Sequence, residues 1–299
     1  MYPQPPSAGT VRSEIVVPTL AETHRGPQLL RAIDSIQSQG ARALVVINGA
    51  RFDPQLRQQL ADRQDIRLIC IAEPGLPNAI GVGRRAVVSD YFGFLDDDDY
   101  LLPGSVDLRT SYLDAHPQTD AVVTNGLREE WGDEPQFFND PGQLVKIKED
   151  PLAALLEANW MTPCGALYRT GTVPPDLFLN LTKYAEWTDV ASRLIDDYRF
   201  DFLFENTFVQ SDTPGSLSKH AGQAYFILEL HKRIAKKIKT QKQRHLWDQR
   251  ICSLHHQLAE EELLAHLPGK AFRHHLRSLL HAPLIGIPRY LAYTRKFMR

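Results

Sequence analysis

Tyr91-Phe92-Gly93-Phe94-Leu95-Asp96-Asp97-Asp98-Asp99-Tyr100 decides how the chain is read. An aromatic, apolar run of strand length stops at four consecutive carboxylates. Such a run, short and continuous, reads as a strand buried on both faces, as in a parallel sheet. In open α/β sheets, ligands bind beyond the carboxyl ends of the strands. Four adjacent carboxylates repel one another, and a bound divalent cation relieves that repulsion. Oxygen-only ligands suit a hard ion, Mg²⁺ or Mn²⁺. The plain alternative is a solvated acidic turn; a place directly after a buried strand favours a site.

Working back from the acids, three more strands alternate with helices. Ser13-Glu14-Ile15-Val16-Val17 is the first strand and ends at Pro18-Thr19. From Pro27, Leu29, Leu30, Ile33 and Ile36 recur at helical spacing, and Gly40 closes the helix. Leu44 to Ile47 is a second buried strand, ending at Asn48-Gly49. A polar helix covers Pro54 to Arg63, a third strand Ile66 to Ile71, and another helix Pro77 to Val88. This alternation with short connections predicts a mostly parallel α/β sheet with right-handed crossovers. No internal repeat is found.

The 299 residues allow one large α/β domain plus an extension, or two small domains. Cys70, Cys164 and Cys252 are far apart and fit no metal or redox spacing, which points to a reducing compartment and ordinary buried thiols. The start, Met1 to Thr10, lacks the apolar core of a secretion signal. No stretch reaches the ~20 apolar residues that span a bilayer. A cytoplasmic location is expected. Charge is uneven: residues 219–299 hold 16 Lys+Arg against 5 Asp+Glu, the remainder 18 against 31. An acidic body with a basic tail follows.

Residues 14–105 resemble glycosyltransferase family 2, with its nucleotide-sugar-binding GT-A fold. The segment Ile15 to Thr19, the helix end Ser35 to Gln39, and the run from Gly75-Leu76 to Asp99 and Pro103 match that family's approach to its Asp-x-Asp motif. Weaker matches continue to Ser218. The resemblance divides the chain into a flexible leader (1–12), a GT-A domain (13–218) and a basic helical extension (219–299). It implies inverting transfer of a sugar from a nucleoside-diphosphate donor to a hydroxyl of a glycan or lipid-linked saccharide. Asp98 becomes the main ligand of Mn²⁺ or Mg²⁺, with Asp96 near the ribose or the metal. Asp97 lies in the donor pocket, where it and Asp99 tune the field or bond to backbone. Pro18, Thr19 and Asn48, at neighbouring strand ends, line the base and ribose pocket.

Two features depart from the family. Its second strand commonly ends in an aspartate that contacts the base; Asn48 stands there and leaves base preference open. Its arginine in the helix before the acids is here Ile80. Arg84, four residues on and so on the same face, is read as its replacement toward the nucleotide. Arg85 is second, and a solvated arginine pair is the plain alternative.

Tyr184 to Leu194 resembles the region of the family's catalytic carboxylate. Counted back from Arg193, Glu186 matches the first acid of a Glu-Asp pair and Trp187 replaces the second. Asp189 shares a helical face with Glu186. Both are candidate bases. Asp189 is preferred because Asp is the usual family choice, although Glu186 has the better register; a helix N-terminal acid is the competing reading of each. Trp187 either stacks on an acceptor sugar or packs against the sheet. Asn159 to Arg169 resembles the segment closing the sheet near the acceptor. Asp212 to Ser218 resembles the closing loop, with Thr213 near a family histidine's place and His220 following. The polar stretch Arg128 to Gln143 is either a lid or a surface excursion.

In the tail, Phe226, Leu230 and Ile234 lie four apart, and Trp247, Ile251, Leu254 and Leu258 share one helical face. Phe272, Leu276, Leu279 and Leu280 alternate with Arg273, His274, His275 and Arg277. This basic amphipathic segment suits either an anionic membrane face or packing on the catalytic domain. No nucleic-acid motif accompanies it. Two other functions compete. A nucleotidyltransferase usually has a Gly- and Lys-rich phosphate loop near the first strand, and Pro18 to Gly26 is not one. A non-catalytic nucleotide-sugar-binding scaffold is favoured if neither Glu186 nor Asp189 reaches the donor.

Overall fold

The computed structural model describes residues 11–130, 134–212 and 222–281. The first half is β1 (Ser13–Thr19), α1 (Gly26–Gln37), β2 (Arg42–Asn48), α2 (Pro54–Asp62), β3 (Arg67–Ile71), α3 (Leu76–Ala86) and β4 (Tyr91–Phe94). β2 and β4 flank β1, and β3 flanks β2, all in parallel. The continuous apolar runs are therefore buried on both faces. Ile15, Val17, Val45 and Ile47 point to one side, under Leu29, Ile33 and Ile36 of α1. Val16, Val46, Phe92 and Phe94 point to the other, under α3. Helix α3 lies directly on β1 because residue 83 is glycine: a Cβ there would come 2.3 Å from Val16 Cγ1.

After the acids come β5 (Tyr100–Leu101), α4 (Ser105–Ala115), β6 (Ala121–Glu130), β7 (Gln136–Phe137), α5 (Pro141–Glu149), α6 (Pro151–Glu157), β8 (Ala166–Arg169), α7 (Glu186–Asp197) and β9 (Phe200–Asp212). The sheet runs β3-β2-β1-β4-β8-β6-β9-β5, with β7 on β6. β8 is antiparallel to both its neighbours, and β6 and β9 are parallel. The stretch from Arg128 departs from the loop expectation. β6 continues through it and β7 returns against Leu127 and Arg128, and Asp140 then caps α5 by accepting from Gln143 N. Alternating side chains on an edge strand do not need to be apolar, so the polar composition hid the hairpin.

The tail folds as α8 (Gln223–Ile234), α9 (Gln241–Leu264) and α10 (Pro268–His281). Trp247, Ile251, Leu254 and Leu258 are buried together with Leu228, Leu230 and Ile234, against Leu152 and Leu156 of α6. Thr240 and Gln243 form a capping box that starts α9. α10 buries Ala271, His275 and Ser278, while Phe272, Leu276 and Leu280 are exposed. All three cysteines are free; Cys70 is exposed, contrary to the expectation of buried thiols. Among the described residues no helix is long and apolar enough to cross a membrane. Thr213 to Ser218, His220 and residues 283–299 lie outside the described residues.

Candidate active site

Parallel pairing of β1, β2 and β4 brings their carboxyl ends to one edge, and with them Thr19, Asn48 and the four acids. Thr19 Oγ1 donates to Asp97 Oδ2 at 2.6 Å and accepts from Ala21 N at 2.9 Å. Ala21 takes a left-handed backbone (φ 49°) to make that turn, strain that a non-glycine residue carries only where its surroundings hold it. Pro18 is buried within β1, in register with Val46. Asn48 is buried too. Its amide donates to Thr19 O and accepts from Gly75 N, tying β1 and β2 to the loop before α3. Beyond these strand ends an open cleft of about 820 Å³ is lined by Glu22, Thr23, His24, Arg51, Phe52 and Asp53, a volume in the range of small-ligand sites.

The acids have separate surroundings. Asp99 is buried and accepts from Ser211 N at 2.9 Å and from Cys164 Sγ at 3.6 Å. Asp97 is pushed up to about 6, chiefly by burial. Asp96 is raised well above the ordinary carboxylate range by burial and then by the charges of Asp99, Asp98, Asp97 and Glu186. Arg25 is the cation in their midst. Its Nη1 lies 2.5 Å from Asp98 Oδ2 and 3.5 Å from Asp97 Oδ1. Arg31 donates to Asp98 O and Ser211 Oγ and lies over the Tyr100 ring. Sequence reading missed Arg25 and Arg31. The available signal was electrostatic: four clustered carboxylates need a nearby cation, and Arg25 follows the first strand directly.

The first turn of α7 is the other half of the site. Glu186 is buried, its carboxyl is raised by burial, and its charge reaches Asp96. Tyr184, left-handed at φ 63°, directs its N–H at Glu186 Oε1 (3.1 Å). Asp189 lies one turn on in a different environment. Its carboxylate accepts from Thr182 N (2.9 Å), Thr182 Oγ1 (2.7 Å), Arg193 Nε (2.9 Å) and Arg233 Nη2 (2.9 Å). Burial works to raise Asp189, but the bonds from Arg193 and Thr182 prevail and hold it below its usual value. Of the two candidate bases, Asp189 thus has its lone pairs occupied and its proton affinity lowered, surroundings that favour Glu186. Trp187 packs its ring on Phe94 at 5.3 Å between centroids, as the packing alternative held. Its indole N–H is buried with no acceptor among the described residues.

Arg84, expected to face the nucleotide, lies inside the protein. It is 4% exposed, donates through Nη2 to Val173 O and Thr170 O, and lies 4.1 Å over the Phe92 ring. Helix α3 runs back across the sheet, so its last turn sits above the start of β4. The acids lie past the other end, roughly 13 Å on from Phe92 at strand rise. Ile80 is core, and Arg85 is exposed.

Among the described residues no three His, Cys, Asp or Glu side chains form a ready-made metal cage. The donor set nevertheless fits Mg²⁺ or Mn²⁺, which are held by one or two carboxylates together with substrate phosphates. Asp96 and Asp98 supply hard oxygens, beside two further carboxylates, Asp97 and Asp99.

The sequence model of glycosyl transferase family 2 matches residues 14–169. No curated protein sequence matches the chain significantly. Among solved structures, S. aureus TarS 1–349 in complex with UDP-GlcNAc superposes with a TM-score of 0.59 at 13% identity, covering 88% of this chain and 89% of that one. TarS 1–349 alone gives 0.56 at 12% identity, with the same coverage. The mannosyltransferase PcManGT from Pyrobaculum calidifontis, in complex with GDP-Man and Mn²⁺, gives 0.54 at 16% identity, covering 96% of this chain and 82% of that one. At these identities the likeness is one of fold.

Proposed function

The chain belongs to glycosyl transferase family 2 and is a glycosyltransferase; on that premise we propose that it transfers a sugar from a nucleoside-diphosphate donor, with inversion, using Glu186 as the base. The acceptor is a hydroxyl of a glycan or lipid-linked saccharide. The nucleotide sugars held by TarS and PcManGT, and the Mn²⁺ of the latter, support a donor and a divalent cation of the same kind here. The catalytic unit is residues 13–218, with 219–299 as its helical extension.

One observation carries the reading. Glu186 is a buried carboxyl that opens α7, and the next residue, Trp187, packs on Phe94, two residues before Asp96. A base of this kind accepts the hydroxyl proton as the new C–O bond forms and the bond to the diphosphate breaks. Attack from the face opposite the leaving group inverts the anomeric carbon, and no covalent nucleophile is required. Such a base supplies ~10²–10⁴-fold in rate. Asp98 and Asp96 would hold the cation, which when bound offsets the negative charge of the departing diphosphate. Arg25 adds a protein cation at the same place. Thr19 fixes Asp97 at the donor pocket, and Asn48 holds the pocket wall through the backbone. The Trp187 N–H offers a hydrogen bond to a sugar hydroxyl.

The test is product release with Mn²⁺ and candidate nucleotide sugars. Wild type releases nucleoside diphosphate. Glu186→Gln loses about 10²–10⁴-fold in kcat and keeps the thermal shift given by nucleoside diphosphate with Mn²⁺. Asp98→Asn loses the Mn²⁺-dependent part of that shift. Release of pyrophosphate would mean nucleotidyl transfer instead, and wild-type rates in Glu186→Gln would remove the base.

A further inference from the structure

We propose that the outward face of α10 is a docking surface for an anionic lipid bilayer. The helix is one-sided. Ala271, His275 and Ser278 turn inward, and Leu279 packs on Cys252 of α9. Phe272, Leu276 and Leu280 recur every fourth residue and so share the opposite face; Leu276 is 46% and Leu280 81% exposed. Among the described residues, packing leaves this row of large side chains largely uncovered. At 100° per residue, Arg273, Arg277 and Lys270 fall along one flank of this row. All three are exposed, and α10 contains no acid. An apolar stripe bordered by cations is the pattern of a helix lying in the headgroup region, its leucines among the acyl chains and its arginines at the phosphates.

Charge selects this occupant over a second copy of the chain. Two such faces brought together would oppose cation to cation. The sequence beyond the helix continues the bias, because residues 282–299 contain Arg289, Arg295, Lys296 and Arg299 and no acid. Of the acids of α9, Glu260, Glu261 and Glu262 cluster at its far end, and the single carboxylate at the Leu280 end, Asp248, is engaged by His281 Nδ1 at 3.0 Å. Leu280 lies 12 residues beyond Pro268, about 18 Å along the helix from that end. Contact is therefore made through the Leu276–Leu280 end rather than through Leu264, which is exposed beside the acids.

The experiment is flotation of the full chain with vesicles of phosphatidylcholine alone, or with 40 mol% phosphatidylglycerol, in low and high salt. Wild type floats with the anionic vesicles only, and salt weakens the binding. Each basic residue near an anionic surface is worth about fivefold, so Arg273→Gln/Arg277→Gln weakens binding roughly thirtyfold. Leu276→Glu/Leu280→Glu weakens it at least about tenfold, and Leu264→Glu changes it less than either. All three variants are at exposed positions, and cooperative unfolding and donor turnover at wild-type values confirm that they fold. The proposal is overturned if wild type ignores anionic vesicles, or if both double variants float like wild type. It is equally overturned if sedimentation shows a dimer that Leu276→Glu/Leu280→Glu dissociates, which would make a second chain the occupant.

Discussion

Replacing Asp189 by asparagine separates support from chemistry on the first turn of α7. The Asp189 side chain is 3% exposed and receives charged donors from Arg193 and Arg233 and two bonds from Thr182. Removing one member of a buried ion pair costs about 3–5 kcal/mol. Arg193 and Arg233 are 24% and 53% exposed, so water takes over part of their solvation, and asparagine keeps one acceptor. The expected loss is near the lower end, about 3 kcal/mol, or about 6–10 °C in Tm. The pH dependence has a definite sign. A carboxylate with a lowered folded pKa stabilises above its unfolded value, about 3.9, and that stabilisation fades as pH falls through the lower folded value. The gap between wild type and Asp189→Asn should thus be widest above about pH 5 and close in acid. Differential scanning calorimetry across pH measures the gap, and nucleoside-diphosphate release below both melting points measures turnover. Turnover should stay within about threefold of wild type, against the 10²–10⁴-fold loss in Glu186→Gln. A stable Asp189→Asn protein that has lost turnover, beside an active Glu186→Gln, would reverse the two assignments and refute the reasoning.

Three further outcomes follow from geometry already described. Arg25 and a divalent cation compete for Asp98, so Arg25→Gln should bind Mn²⁺ about three- to tenfold more tightly in the absence of nucleotide, as read by electron paramagnetic resonance; a part-buried ion pair of about 1 kcal/mol sets that scale. Gly83→Ala drives a methyl group into Val16 and should cost about 1–3 kcal/mol in urea unfolding; an unchanged midpoint would mean that α3 can lift from β1. Glu14 is buried, and although burial opposes it, the bonds from Val88 N, Arg67 and Arg42 lower its carboxyl. It therefore stabilises the fold above about pH 4.3 and ceases to as pH falls through its lower folded value. Glu14→Gln should be less stable at pH 7 and show a flatter acid limb.

The parallel half of the sheet was legible because both faces of β1, β2 and β4 are covered, which forces apolar runs that stop abruptly at the ligand edge. The acids were placed by that stop, and the faces of α9 by leucine spacing. The surroundings of Arg84 were not legible because spacing gives a helical face but not a position along the helix, and α3 carries its last turn to the far edge of the sheet. The ion pairing of Asp189 was hidden because Arg233, a partner 44 residues away in sequence, leaves no local mark near it. Arg25 was passed over because its reason for being there is the charge of residues more than 70 positions later. Local pattern reports burial; which charges meet is decided by the crossing of distant elements.

The bond from Arg233 to Asp189 has a practical corollary. A truncated protein ending before α8 would lose a ligand of the very turn that presents Glu186, together with the apolar roof over α6. Anyone trimming the polypeptide to its smallest active piece should expect a less stable protein, because Asp189 and α6 both lose partners with the tail.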